Sequence, residues 1–347
     1  MTSWSGEPVG VRPGPAQAWQ PRPYSQLLRG PTFRWWRPPA SVAVAVAAAL
    51  VSVLVLGFGY LVLQYAEGLD PLGVETGTGG AGGAGGAGSS SAVDDWSVTP
   101  FGFLWTNLLL AAFVPVAMVA TWAGYGWRPR WVASVAPGIR RDWLLRCTLV
   151  SLAVSGLAGV GLAVLGGGYT WTPERDWPWL LLVVLTTTPL QAAGEEYVFR
   201  GWLTQLVGSV VPSARVGALA AGLLSSTLFA FAHGQQNLWL FGDRFAFGAV
   251  ASWLVWRTGG LEAGIALHAA NNVVALVLTI GAGELRDTLE VSESTAVSLV
   301  LDLVTLLVAV AAILLLNRRR PVTRLFTPPS LAPPSLSSPP VLPGGAP

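Results

Sequence analysis

Residues 177–200, WPWLLLVVLTTTPLQAAGEEYVFR, decide how this chain is read. An apolar run of helical length ends in two adjacent carboxylates, Glu195 and Glu196, with Arg200 just beyond them. Hydrocarbon penalises a carboxylate that is not paired, hydrated or protonated, so an intramembrane pair points to a functional site. On a helix, neighbours point about 100° apart, while residues four apart share a face. Arg200 therefore lies over Glu196 and can neutralise it as an i,i+4 pair. Glu195 lies on another face without a local cation. One carboxylate reads as structural and the other as available for chemistry.

The rest of the chain agrees with a membrane setting. Its 347 residues are 52% hydrophobic and only 11% charged, with mean hydropathy +0.55. Soluble domains run nearer about a quarter charged, so the composition indicates an integral membrane protein. Every basic residue is Arg, which coding bias explains as readily as function. A net charge of +2, with arginines scattered along loops, provides no basic patch for nucleic acid. The single cysteine, Cys147, forbids an internal disulfide.

Eight spans follow from the apolar runs at 41–63, 102–124, 144–167, 177–199, 216–233, 244–257, 261–282 and 295–316. Each except the short sixth is close to the length needed to cross a core of about 30 Å. The expected fold is an all-α polytopic membrane bundle with a central polar site. Residues 1–39 are rich in Pro, Arg and Trp without periodicity and read as a disordered tail rather than a cleaved leader. Trp35 and Trp36 stand where an interfacial anchor belongs. Residues 40–143 hold spans one and two around a Gly-rich linker at 66–97 (GTGGAGGAGGAGSSS in its middle). That stretch has neither a preceding strand nor a following GK[ST], so it is no phosphate cradle. Residues 144–282 hold spans three to seven and the polar motifs, 283–320 the last span, and 321–347 a Pro/Ser-rich tail expected to be disordered.

Arginines before span one, between spans two and three, and after span eight alternate with acid-bearing loops. Such alternation places both ends on the cytoplasmic side of the plasma membrane by the positive-inside rule.

Both histidines of the chain fall in apolar runs. His233 closes span five, with Phe229 four residues earlier on the same face; His268 lies early in span seven, with Asn272 four residues later. Each alone reads as a helix-packing hydrogen-bond group. Together with Glu195 and Glu196, these groups on three spans are best accommodated around one wet cavity.

In order, Glu-Glu-x-x-x-Arg (195–200), Phe-x-x-x-His (229–233) and His-x-x-x-Asn (268–272) resemble the three motifs of the CAAX-protease and bacteriocin-processing family. These are intramembrane endopeptidases that include the Ras-converting enzyme of eukaryotes. The resemblance covers the fourth to the seventh span. It implies that Glu195 activates the attacking water, that Glu196 and Arg200 hold the helix end, and that His233, His268 and Asn272 complete the site beside Phe229. Residue chemistry is compatible: a carboxylate can serve as general base, and imidazole and amide groups can stabilise an oxyanion.

The resemblance leaves metal use open. Glu195, His233, His268 and Asn272 are plausible zinc ligands with a position left for water, yet a metal-free glutamate mechanism fits as well. The expected partners are the lipid bilayer and a peptide or membrane-protein substrate; prenylation of that substrate and oligomeric state are not legible.

Two readings of other classes stand beside the peptidase. A silent scaffold or immunity-type protein would be expected to lose part of the polar set, which is complete here. A proton- or cation-coupled transporter would be expected to show repeats, and none is visible. One depth problem also stands. His233 lies about 27 Å along span five from Arg215 at 1.5 Å per residue, whereas Glu195 and His268 lie near the opposite ends of their spans. Either span four continues past Arg200 or helix five starts outside the bilayer.

Overall fold

The computed structural model describes residues 21–30, 33–66 and 98–327. The linker expected at 66–97 therefore lies almost wholly outside the described residues, as do 1–20 and 328–347. Elsewhere the chain is helical apart from one short strand pair and one isolated bridge.

Helix α1 (Arg37–Ala66) is Val/Ala/Leu-rich around its whole circumference and leaves Leu54 and Phe58 exposed, as a lipid-facing helix does. Helix α2 (Pro100–Ala111) starts on Thr99, whose hydroxyl accepts from the Gly102 amide at 3.0 Å. It runs through Ala112 into α3 (Phe113–Tyr125) as one span. Then come α4 (Arg141–Leu165), α5 (Trp177–Glu196), α6 (Leu203–Val210), α7 (Ala214–Phe231), α8 (Leu238–Thr258), α9 (Glu262–Ala282), α10 (Leu285–Leu289) and α11 (Ala296–Arg319).

Among the described residues, seven helices are long and apolar enough to cross a membrane. Helix α5 is not among them, although it has 20 residues; Thr186, Thr187, Thr188, Gln191 and the two glutamates dilute its apolar character. It packs against α2 and α9, while Trp179, Leu182, Leu185 and Leu190 on its other face stay exposed. This is an all-α polytopic membrane bundle. The expected sixth span, 244–257, is the carboxy-terminal two thirds of the longer α8, started by Asn237 and stopped at Gly259 with φ 70°.

Two features hold α5 in place. Asn107 of α2 donates to the hydroxyls of Thr187 and Thr188 at 2.8 and 3.1 Å, a polar cross-link between apolar helices. A side chain at Gly194 would collide with the Leu110 carbonyl of α2, so glycine is what lets the two backbones meet.

Beyond Glu196 the helix does not stop. A π-helical turn, Tyr197–Trp202, joins α5 to α6 with αR geometry on both sides. Such turns break the backbone ladder and frequently mark functional sites; here the Phe199 carbonyl is picked up by the Ser225 hydroxyl of α7 at 2.8 Å. The continuous rod settles the depth problem: Glu195 lies well inside it, and α7 runs back along α6 to bring Phe229 beside Phe199, ring centroids 5.5 Å apart.

Residues 21–30 correct the expectation of a wholly disordered 1–39. Tyr24, Leu27 and Leu28 are buried, packing in one core cluster with Trp127, Trp131 and Phe326. Tyr24 donates its hydroxyl to the Val132 carbonyl. Arg29 donates to the Ser209 carbonyl at 2.8 Å, and Gln26 to those of Val211 and Pro212 at 3.1 and 3.0 Å. These are the carbonyls a helix end leaves orphaned, so the segment acts as a side-chain cap for α6. Strand β1 (Arg22–Pro23) pairs antiparallel with β2 (Leu325–Phe326), which also places residues 321–327 within ordered structure rather than in the expected tail. The two ends of the described chain therefore meet at one end of the bundle.

Candidate active site

Glu196 sits at the last turn of α5, completely buried, and Arg200 follows one turn later, equally buried, its NH1 2.8 Å from Glu196 Oε1. The guanidinium carbon lies 4.1 Å from the centre of the Phe229 ring, close enough for a cation–π contact. Side chains at Gly248 and Gly264 would press on Arg200 NH2 and Glu196 Oε2, at 2.9 and 2.8 Å. Both glycines make room for the ion pair.

His268, on α9, joins the two glutamates. Its Nδ1 lies 3.0 Å from Glu196 Oε1 and its Nε2 3.3 Å from Glu195 Oε2. Glu196 faces a permanently charged guanidinium and is held as a carboxylate, an acceptor only, so Nδ1 carries a hydrogen and donates it. The Nε2 of the same ring faces Glu195 Oε2. Glu195, expected to lack any local partner, thus has one from a distant helix.

Glu195 Oε2 also accepts from Gln191 Nε2 at 2.8 Å, and Gln191 Oε1 accepts from Asn272 Nδ2 at 3.3 Å. Gln191 is the residue the motifs omit. Its signal is nonetheless in the sequence: a buried amide inside an apolar run, one helical turn before Glu195 and on its face.

His233 lies just past the end of α7, in a turn completed by Gly234 at φ 79°. Its ring stacks edge-on against Phe229, centroids 4.7 Å apart. Its Nδ1 is 2.7 Å from the Phe229 carbonyl. A carbonyl only accepts, so Nδ1 holds the hydrogen and neutral His233 presents a bare Nε2.

Glu195, His233, His268 and Asn272 line one cavity of about 380 Å³, together with Phe229 and Gln191. Glu196 and Arg200 stand behind it. The sequence-derived residues are thus brought together, with Phe229 at the junction: its ring also meets those of His268 and Phe247 at 5.7 and 5.9 Å.

Among the described residues no three His, Cys, Asp or Glu side chains cluster as a metal site. Both nitrogens of His268 face carboxylate oxygens, at 3.0 and 3.3 Å.

Comparisons with known proteins fall on this region. Residues 177–274 match a family model described as type II CAAX prenyl endopeptidase Rce1-like. An uncharacterized protein of Bacillus subtilis (strain 168), YyaK, is 34% identical over 98 residues. That alignment covers 27% of this chain and 32% of the Bacillus protein, so the chain spans about a third of that relative's length. No solved structure matches the chain. The matched segment runs from the start of α5 into α9 and contains all three motifs.

Proposed function

We propose that this multi-pass membrane protein, whose residues 177–274 carry an Rce1-like domain, is an intramembrane endopeptidase acting on a peptide or membrane-associated protein. One observation carries the reading: a carboxylate, two imidazoles and an amide from three separate helical segments face the same cavity. Packing alone gives no reason for such convergence inside hydrocarbon.

In this reading Glu195 is the general base. It takes a proton from a water held between its free oxygen and the bare Nε2 of His233. The hydroxide adds to the scissile carbonyl, and the amide hydrogen of Asn272 not given to Gln191 stabilises the oxyanion. Glu195 then passes its proton to the leaving amine, with His268 Nε2 at 3.3 Å steadying it between the two steps. Glu196 and Arg200 do not touch substrate; they fix the tautomer and direction of His268.

Both chain ends face the cytoplasm of the plasma membrane in this proposal. The arginine alternation supports that side, and the β1–β2 pair supports a shared side for the two ends. A reporter fused at residue 85 that behaved as cytoplasmic would break the orientation.

Activity is tested with purified protein in detergent micelles against a quenched-fluorescence peptide library, wild type beside Glu195→Gln. Cleavage by the wild type and none by the variant, with matching melting curves, supports the assignment. Equal cleavage by both removes Glu195 from the chemistry. Absence of cleavage by wild type, with the fold intact, favours the scaffold reading.

A further inference from the structure

The cavity that holds Glu195 has a second wall that the hydrolytic steps do not use. Asp243 of α8 and Asp302 of α11 both line it, with Ser155 of α4. Asp302 stands six residues into the apolar α11, about 9 Å from its start at 1.5 Å per residue. An acid at that depth is tolerated where it faces water, a partner or a ligand. Among the described residues no ion pair is made by either aspartate, and the two are close enough to feel each other's charge.

The one cation on that wall, Arg244, donates its NH1 to Gln236 Oε1 at 2.8 Å, in the turn beside His233. Three carboxylates (Glu195, Asp243 and Asp302) thus face one guanidinium across a single cavity. Ser155 is 7% exposed and lines the same cavity, and its hydroxyl makes no hydrogen bond among the described residues. A helical serine normally turns its hydroxyl to the carbonyl one turn back; this one is left to the cavity.

We propose that this wall takes the cationic side chain, guanidinium or ammonium, of a peptide substrate. Asp243 and Asp302 supply the counter-charge, and Ser155 accepts a hydrogen bond beside them. The ligand's charge replaces the missing partner of two intramembrane acids, and its N–H groups meet the free hydroxyl. A fork of N–H donors suits two carboxylates from different helices better than a single point charge does, so arginine is favoured over lysine. The inference rests on the peptidase reading only in calling the bound peptide a substrate.

Binding tests it without turnover. The full chain carrying Glu195→Gln is reconstituted in nanodiscs and titrated with fluorescent, N-acetylated and C-amidated apolar peptides. These are identical except for one central arginine or its neutral isostere citrulline. The arginine peptide is expected to bind at least tenfold tighter, and in E195Q/D243N/D302N the two should agree within twofold. Should the triple variant not fold, Asp302→Asn on the E195Q background, at an exposed position, is expected to shrink the gap at least threefold. Equal binding of both peptides to E195Q, or a gap that survives neutralisation of the aspartates, overturns the proposal. A third peptide with citrulline and a free amino terminus separates a side-chain cation from a chain-end one: tight binding that tracks the amino terminus instead of arginine also overturns it. Wild-type protein that cleaves nothing would count against the peptidase reading and leave this binding result standing.

Discussion

Two buried ion pairs, one at the end of the bundle and one at its centre, are built to opposite standards. At the end, Arg140 and Glu262 are joined by two side-chain hydrogen bonds of 2.8 and 2.6 Å, and the Arg140 amide adds a third at 2.9 Å. The remaining guanidinium nitrogen reaches the carbonyls of Thr258 and Thr323, each at 3.0 Å. At the centre, Arg200 and Glu196 share a single contact, and among the described residues Glu196 Oε2, Arg200 Nε and Arg200 NH2 find no hydrogen-bond partner. A buried charge without its full set of partners is costly. The first pair locks helix ends together. The second tolerates incomplete satisfaction because Glu196 must also hold His268. Saturation marks the structural pair, and shortage marks the pair that belongs to a site.

The largest effect that would sharpen this contrast lies at the residue the central pair serves. Glu195→Gln should lower peptide hydrolysis by about 10²–10⁴-fold, the usual worth of general-base assistance. The melting temperature in detergent should hardly move; a large drop would show that Glu195 is part of the packing instead.

The two pairs should then separate by stability. Arg140→Ala strands Glu262, which is wholly buried, and is expected to lower stability by about 3–5 kcal/mol. Whatever remains folded should keep its specific activity. Arg200→Ala should lower stability less, by about 1–3 kcal/mol, since Glu196 retains His268, while activity falls with the loss of His268's orientation. Denaturation and activity measured on both variants decide it, and equal stability losses would erase the distinction.

Next in size is Leu28→Ala in the amino-terminal segment, expected at about 2–4 kcal/mol from lost burial and the cavity left behind, without a change in activity per folded molecule. A variant of unchanged stability would show that this segment adds nothing at the closed end. Its neighbour Tyr24 supplies a pH signature. Burial pushes this phenol well above its ordinary value of 10.0. The neutral form is the one the fold holds, so its contribution is complete below about pH 10 and fades as pH rises through the folded value. Melting curves taken on either side of about pH 10, for wild type and Tyr24→Phe, should converge at the higher pH.

Smallest is Asn272→Ala. A neutral donor at 3.3 Å from Gln191 is expected to be worth roughly tenfold in kcat, about 1.4 kcal/mol. A loss as deep as that of Glu195→Gln would move Asn272 from oxyanion support into the proton path.

How much of this is legible in the sequence follows from distance along the chain. The Glu196–Arg200 pair is an i,i+4 contact and can be read from spacing alone; so can the Phe229–His233 ring contact. That His268 reaches back to both glutamates, 72 residues from the one it hydrogen-bonds, depends on motif resemblance, because no local rule places α9 against α5. Gln191 escapes notice because an amide in an apolar run carries no charge to draw attention. The continuation of α5 through the π turn is one of two alternatives the sequence leaves open. Its sequence, YVFRGW, contains neither proline nor an acid, so nothing in it announces whether the rod will end. The amino-terminal segment misleads because its Pro/Arg/Trp composition resembles that of unfolded tails. The few residues that matter, Tyr24, Leu27 and Leu28, are too few to form a periodic pattern, and their burial needs partners at Val132 and Phe326.

The pairing of Arg22–Pro23 with Leu325–Phe326 has a consequence in time. A ribosome adding about 5–20 residues per second needs roughly 15–60 s to make the 300 or so residues between these strands. For that interval the early strand exists without its mate, and Tyr24, Leu27 and Leu28 wait for Phe326 to complete their cluster. Closure of this clasp is thus among the last events of biogenesis. A nascent chain stalled within α11 would carry the Glu196–Arg200 pair and its histidine while its amino-terminal latch remained open.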